Sequence, residues 1–397
     1  MNPNAEFDVV VFGATGFTGR LVAEYLDAQY GNGKAFSWAM AGRSADKLAQ
    51  VRDEIGAPAG TPLIVADSTD PGSMEAMASR AKCVITTVGP YTLYGAPLVE
   101  ACVATGTDYV DLAGEVLWMR DMINAHEAAA RKSGARIVFS CGFDSIPFDL
   151  GVQFLQEKAQ EKFGSPCPRV RGRMRDMRGA ASGGTAASGV ATFAALQADP
   201  SLFEPLLDPF SLNGGALAGG FKGPEQPAGD KVYEDEAVGG WVGPFIMAVI
   251  NTKNIHRSNA QLGHPYGEDF VYDEMVLGGP GEKGKAAVDA LVAVFEMGGE
   301  DAPKPGEGPS KEERVNGFYD HLVHGTTKNG ETIAIAVKGD MDPGYGSTSK
   351  MISEAALCLI QDRADLPGGI YTPASAMGAT LRNRLVKSAG LTFEVEG

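Results

Sequence analysis

The chain has 397 residues, 44% of them apolar and 21% charged, and a formal net charge of -16. That length exceeds one compact core and argues for two domains. The surplus of acid argues against sequence-independent binding to nucleic acid, which depends on neutralising phosphates, and means that an anionic ligand must be met by local cations or backbone donors.

The five cysteines, Cys83, Cys102, Cys141, Cys167 and Cys358, form no Cys-x-x-Cys pair, and their odd number and irregular spacing indicate neither a disulfide framework nor a zinc site. The expectation is reduced, buried thiols in a cytoplasmic protein. No basic segment followed by an apolar one is found in Met1–Asp8, so no signal peptide is expected. The longest apolar stretch, Gly239–Ile250, is too short and too rich in glycine to span a bilayer. It reads as core, with contact at a membrane surface as the other reading.

The first 150 residues alternate strand-like and helix-like segments. Phe7–Phe12 reads as strand and Thr18–Ala28 as helix; Ser37–Ala41 as strand and Ala45–Glu54 as helix. Leu63–Ala66 is a short strand, and Pro71–Arg80 a helix with proline in its first turn. Cys83–Val88 is an apolar strand, followed by a helix over Pro97–Ala104 that stops at Gly106. Tyr109–Leu112 and Arg136–Ser140 read as strands on either side of a long helix, Met119–Ser133. Such alternation, with near-continuous apolar strands, predicts an α/β domain with a parallel sheet covered on both faces, and ligands in such sheets lie at the carboxyl ends of the strands.

The first of those ends carries Gly13-Ala14-Thr15-Gly16-Phe17-Thr18-Gly19. Gly13 suits a tight turn, Gly16 lets the backbone approach a diphosphate, and Gly19 lets the helix lie close to the strand. The helix amino terminus then offers unpaired N–H groups to phosphate. The spacing is G-x-x-G-x-x-G, and its position between a strand and a helix in a βαβ unit points to dinucleotide binding. At the second strand end an NAD site usually carries Asp or Glu. Here stand Gly42-Arg43-Ser44, and Arg43, with Ser44 and Lys47 nearby, suits a 2′-phosphate, so NADP(H) is the expected cofactor. Asp67 closes the third strand, where adenine rests. Thr87, Val88 and Gly89 close the fourth, where the cofactor turns toward its nicotinamide.

Groups for proton transfer should follow the fourth to sixth strands. The candidates are Tyr91 and Tyr94, Asp111 and Glu115, and Cys141 and Asp144; the tyrosines can equally line a wall, and the aspartates cap turns. Tyr30-x-x-x-Lys34 has the spacing of a dehydrogenase pair but falls on the far side from the cofactor. No metal site is expected from five histidines without ligand spacing, and His126, His321 and His324 read as surface or core residues.

From about Gly151 the character changes. Arg169–Arg178 alternates with period two, which places Arg169, Arg171, Arg173 and Arg175 on one face of a strand. Ion pairing with neighbouring acids is the preferred reading of that face; a site for a substrate carboxylate, a phosphopantetheine phosphate or an acidic carrier is the other. A Gly/Ser-rich segment containing Thr185 and Ser188, hydroxyls able to bond a ligand carbonyl, leads into a helix over Val190–Gln197. Asp208–Val238 reads as a long loop and Gly325–Val337 as antiparallel strands. Residues 151–345 are thus expected to form an α+β unit with a mostly antiparallel sheet. Two last helices, Thr348–Ile360 and Pro373–Ala389, are expected to complete the Rossmann-type domain of residues 1–150 with residues 346–397.

The runs Val9–Leu26, Ala41–Ser44, Thr86–Cys102, Tyr109–Glu115, Phe139–Gly151, Ser182–Gly189 and Gly368–Leu385, in that order, resemble the saccharopine dehydrogenase-like oxidoreductases, and among them the bacterial trans-acting enoyl reductase branch. The resemblance covers most of the chain. It implies a Rossmann domain with an inserted second domain, NADPH use, and reduction of a double bond in a polyketide or fatty chain, free or carrier-bound. It carries over Gly13, Gly16, Gly19 and Arg43 but no catalytic residue. Tyr91, Tyr94 or water is the expected proton donor, with Asp144 as a further candidate. An imine-reducing dehydrogenase of the saccharopine type and a non-catalytic nucleotide sensor are the alternatives, and a homodimer is left open.

Overall fold

A computed structural model describes residues 5–33, 36–179, 183–217, 221, 223–297 and 307–397. Six strands follow the expected alternation: β1 (Phe7–Phe12), β2 (Trp38–Gly42), β3 (Leu63–Val65), β4 (Ala81–Thr86), β5 (Asp108–Val110) and β6 (Arg136–Val138). They lie in the order β3-β2-β1-β4-β5-β6, every pair parallel. Between them run α1 (Phe17–Tyr30), α2 (Ala45–Glu54), α3 (Pro71–Ala78), α4 (Tyr91–Tyr94), α5 (Ala96–Thr105) and α6 (Val116–Ser133). Capping follows the sequence. Asp70 caps α3 ahead of its proline, and α5 ends on Gly106 at φ 69°.

The period of two divides β1 between two cores. Val9 and Val11 pack with Ala23 and Leu26 of α1 on one face, while Val10 and Phe12 pack with Met74, Val99 and Ile123 of α3, α5 and α6 on the other.

A helix not anticipated from the sequence, α7 (Ile146–Phe163), runs through the expected change of character at Gly151. Proline sits in its first turn, and its interior glycine has a packing reason: a Cβ at Gly151 would lie 3.0 Å from Val337 Cγ2. The second sheet is built from β7 (Arg169–Arg178), β8 (Tyr233–Asp235), β9 (Gly240–Pro244), β10 (Val271–Gly279), β11 (Phe318–Thr326) and β12 (Thr332–Gly339). Only β7 and β10 pair in parallel; the other pairs are antiparallel. Helix α8 (Gly183–Ala198) follows β7 and is longer than the segment expected to be helical. The expected loop Asp208–Val238 contains β8, an edge strand of three residues.

The carboxyl-terminal segment crosses between the sheets. Thr348–Leu357 packs on α1, and β13 (Gly369–Tyr371) adds a seventh parallel strand beside β6. The last strand, β14 (Leu391–Glu396), was grouped with the first domain in the sequence reading; it pairs antiparallel with β12 in the second sheet instead. Lys34 of the Tyr30–Lys34 spacing lies outside the described residues.

The arginine face of β7 is consumed by acids. Arg173, fully buried, meets Asp235 at 2.7 Å and Asp273 at 2.8 Å. Arg169 pairs with Asp273, Arg171 approaches Asp235 at 3.6 Å, and Arg175 meets Asp320 at 2.6 Å and Glu396 at 2.7 Å. The pairing reading therefore describes this face, and burial of Arg173 makes it part of the interior. All five cysteines are free and buried, and among the described residues no helix is long and apolar enough to cross a membrane.

Burial also raises carboxyls. Asp111 and Asp149 are pushed up to about 7 and Glu274 to about 8, chiefly by desolvation. Between pH 6.5 and 8 the folded state therefore holds protons that the unfolded chain has released, so stability falls as pH rises. Buried His256 and His321, lowered to about 3, and Lys253, lowered to about 8, oppose this trend at the lower and upper edges of the window, each by less than a carboxyl centred at about 7. Thermal unfolding at fixed ionic strength should give a lower Tm at pH 8 than at pH 6.5, with on the order of 1 kcal/mol lost per carboxyl. A flat or rising Tm would contradict these assignments, and Glu274→Gln should shrink the difference.

Candidate functional site

The turn after β1 is shaped by what cannot fit. Gly13 has φ 88°, a conformation that favours glycine, and a Cβ there would lie 2.8 Å from Val88 Cγ2 and 2.9 Å from Thr87 Oγ1. The Gly13 and Ala14 N–H groups both donate to the Ala41 carbonyl, at 3.0 and 3.1 Å, which fastens the turn to β2. A Cβ at Gly19 would lie 2.1 Å from the Gly13 carbonyl oxygen, so α1 approaches the strand end as closely as a backbone can. Gly16 is exposed and caps α1 without a side-chain hydrogen bond, and no acid occupies the first turn. The leading N–H groups of α1, beside Thr15, Phe17 and Thr18, are thus open to an anion. Phe17 is propped from beyond the first sheet by Tyr345, edge-on at 5.2 Å, and by the Arg314 guanidinium at 5.6 Å.

At the end of β2, Arg43 is exposed and forms no hydrogen bond or ion pair with the described residues. Ser44 caps α2 by accepting the Lys47 N–H at 3.3 Å, which leaves its hydroxyl proton free to donate. A groove of about 410 Å³ is lined by Thr15, Gly16, Phe17, Lys47 and Gly308. Asp67, after β3, accepts both the N–H and the hydroxyl of Thr69 at 2.9 Å; these bonds, and then the charge of Arg43, hold its carboxyl below the usual range.

Thr87, Val88 and Gly89 form the turn beyond β4 rather than its last residues, because the strand stops at Thr86. Here the structure brings together segments far apart in sequence. Glu115, at the start of α6, accepts the Tyr91 N–H at 2.8 Å and the Ser188 hydroxyl at 2.8 Å on one oxygen. Its other oxygen accepts the Thr92 N–H at 2.7 Å and the Thr92 hydroxyl. Ser188 therefore bonds a carboxylate of the first sheet's loops, an arrangement the sequence did not suggest; the Thr185 side chain lies outside the described residues.

The expected proton donors separate. Tyr91 is buried, donates its hydroxyl to the Thr86 carbonyl at 3.2 Å and accepts the Leu112 N–H at 3.1 Å. Burial pushes that hydroxyl well above the usual tyrosine range, so its geometry is that of a brace and not of an acid facing substrate. Tyr94, three residues on, is 37% exposed. Asp111 is spent on the Ala113 and Ser140 N–H groups and the Tyr109 hydroxyl. The Cys141 thiol, buried, points at the Val138 carbonyl. Asp144 is only half-buried by its neighbours, yet desolvation pushes it up to about 7, and among the described residues no side chain hydrogen-bonds its carboxyl. That carboxyl lies over Gly114, where a Cβ would be 3.3 Å from Asp144 Oδ2. Among the described residues no group of His, Cys, Asp and Glu side chains is placed to hold a metal ion.

Comparison with known proteins agrees with this architecture. Residues 9–138 match the family model of the saccharopine dehydrogenase NADP binding domain. A relative from Mycobacterium tuberculosis is 39% identical over 411 residues, covering 98% of this chain and 97% of its own. The trans-acting enoyl reductases of Mycobacterium leprae and Mycobacterium ulcerans are 37% and 36% identical, with 99% and 96% of both chains covered. Among solved structures, apo saccharopine dehydrogenase (L-Glu forming) from Saccharomyces cerevisiae is similar in fold, with a TM-score of 0.54 at 12% identity over 98% of this chain and 100% of that one. The fold and the relatives together define a nicotinamide-dependent oxidoreductase. Within that class, the chain belongs to the saccharopine dehydrogenase-like trans-acting enoyl reductase family.

Tyr91→Phe should leave the Leu112 N–H without its acceptor and cost about 1–3 kcal/mol, read as a Tm lower by a few degrees, while turnover survives. An unchanged Tm with turnover abolished would return this hydroxyl to the chemistry.

Proposed function

We propose that this protein uses NADPH to reduce the activated C=C bond of an acyl thioester, free or carrier-bound. The observation that carries the cofactor reading is Arg43, exposed and unpaired among the described residues at the strand end where an NAD enzyme places an acid. On this reading the amino terminus of α1 holds the diphosphate, and Arg43, the Ser44 hydroxyl and Lys47 grip the 2′-phosphate. Thr87, Val88 and Gly89 line the path toward the nicotinamide, and Asp67 borders the adenine. The names of the full-length relatives support the C=C bond as the target.

Bound there, a reduced nicotinamide supplies hydride to the β-carbon of the unsaturated acyl group. The chain's own task is to place the substrate and to deliver one proton to the α-carbon. Asp144 suits that second task, because its carboxyl is unpaired and, at about 7, keeps its proton near neutral pH. It gives the proton to the α-carbon and regains one from solvent, so each turnover consumes one NADPH and one proton. Tyr94, exposed on α4 beyond the end of β4, is the second candidate.

The deciding experiment follows nicotinamide absorbance with purified protein against two panels: α,β-unsaturated acyl thioesters, and an amino acid paired with a keto acid or aldehyde. Consumption with the first panel alone supports the proposal. Consumption with the second alone favours a saccharopine-type imine reduction, and tight binding without consumption in either favours a sensor.

Two variants test the named residues. Arg43→Ala should raise KM for NADPH about 10- to 100-fold, as for loss of a charge-assisted pair, and leave KM for NADH nearly unchanged. Equal effects on both cofactors would remove the assignment. If Asp144 is the acid, the wild-type rate should fall as pH rises through about 7, because the carboxyl loses its proton. Asp144→Asn should lower kcat about 10²–10⁴-fold and abolish that inflection. An inflection retained by the asparagine variant would point to another donor.

A further inference from the structure

Helix α8 is held over the fourth strand end by surprisingly little apolar contact. Of residues 187–198, only Leu196 is buried, while Val190 is 70% and Phe193 61% exposed. Burial of an apolar stripe is what normally seats a helix against its neighbours. What this helix does have is the hydroxyl of Ser188, which donates to Glu115 Oε1 at 2.8 Å. That hydroxyl also stands over the turn: a Cβ at Gly89 would lie 3.7 Å from Ser188 Oγ and 3.7 Å from the Tyr91 ring.

Glu115 is suited to serve as an anchor. Its side chain is 5% exposed and receives four hydrogen bonds, three of them from Tyr91 and Thr92 at the start of α4. None of the described residues forms a salt bridge with it, so those N–H and O–H donors stabilise the buried charge. The turn is stiffened further by Trp118, which packs on the Tyr91 ring at 5.3 Å and fills the space a Cβ at Gly95 would need. The anchor therefore stays satisfied on both oxygens even when the bond to Ser188 is removed.

We propose that Glu115 is a positioning residue that latches α8, through Ser188, over the nicotinamide end of the cofactor cleft; the location of the nicotinamide rests on the function proposed above. With the latch closed, α8 roofs the turn Thr87–Gly89, excludes water from the place where hydride moves, and forms one wall for the substrate. The cofactor's phosphates, held on that same reading by the amino terminus of α1, do not use the Ser188 hydroxyl. The latch thus acts on turnover and leaves nucleotide affinity alone.

Ser188→Ala is a clean variant. Alanine is the better helix former, so a residue that mattered only to α8 itself would be neutral or stabilising when replaced. Ser188→Thr keeps the hydroxyl. Hydrogen exchange of the α8 amides, measured on cofactor-free protein, should be about tenfold faster or more in Ser188→Ala than in wild type. Its Kd for NADPH should stay within about twofold, while kcat with an enoyl thioester falls about tenfold or more. Ser188→Thr should restore both exchange and kcat. Unchanged exchange in Ser188→Ala, a matching loss of NADPH affinity, or failure of threonine to rescue would overturn the latch. Wild-type protein that binds no nicotinamide nucleotide would sink the cofactor reading on its own. Faster α8 exchange in the alanine variant would then still support a Glu115–Ser188 latch, and equal exchange would overturn it.

Discussion

Helix α1 lies so close to the end of β1 that a single carbon at position 19 would sit 2.1 Å from the Gly13 carbonyl oxygen. The other features of the cleft follow from this approach. It aims the leading N–H groups of α1 across the strand ends, at a height fixed by Gly13 against Thr87 and Val88 of the neighbouring turn. It aligns the helix axis with the site, so the dipole and the free donors act on the same point. The turn is in turn fastened to β2 through Ala41, which sets where Arg43 emerges relative to the helix start. Three strand ends are thereby fixed against each other by backbone hydrogen bonds and by the close seating of the Thr87 and Val88 side chains over Gly13.

The second sheet stabilises this arrangement from outside. Phe17, the first residue of α1, is gripped by Tyr345 and Arg314. Glu354 on Thr348–Leu357 accepts the hydroxyls of Tyr25 and Tyr30 at 2.7 and 2.5 Å, and pairs with Arg384 at 2.7 Å. The carboxyl-terminal segment therefore binds α1 along its length while supplying one strand to each sheet. Such interleaving couples the two halves: α1 cannot shift without disturbing residues more than 300 positions away. The contrast with the described side chains of α8, residues 187–198, among which one leucine is buried and one hydroxyl reaches the first sheet's loops, is large. One wall of the cleft is built into two cores, and the other is held at a point.

How much of this was legible depended on the range of the interactions. Most strands and helices of the first 138 residues, though not the four-residue α4, were readable because their causes are local: near-continuous apolar runs, Pro71 in the first turn of α3, Gly106 after α5. The three glycines were readable because a backbone demand leaves a residue signature. Gly151 was not, since an interior glycine reads as a breaker, and its reason is Val337, brought close only by the fold. Alternation revealed that four arginines share a face, but the burial of Arg173 depends on Asp235 and Asp273, which nothing near it in sequence announces. The burial of Tyr91 was hidden for the same reason: Thr86 and Leu112, which draw its hydroxyl inward, come close only through the fold.

The charge distribution explains how so acidic a chain can meet an anion. A net charge of -16 would repel a nucleotide at long range, but beyond about 8 Å that field is largely screened at physiological ionic strength. What decides affinity is the set of groups inside that radius. Arg169, Arg171, Arg173 and Arg175 of β7, in the densest run of cations in the chain, cannot contribute, because each is matched with acids of its own sheet. The cleft instead combines uncharged donors, the N–H groups of α1 where no acid occupies the first turn, with a guanidinium that the described residues leave unmatched at the end of β2. Backbone dipoles carry no counter-ion and need no rearrangement when the ligand arrives. On the function proposed above, selectivity then rests on Arg43, Lys47 and the capping Ser44, while the acidic surface elsewhere discourages polyanions that lack the shape to reach them.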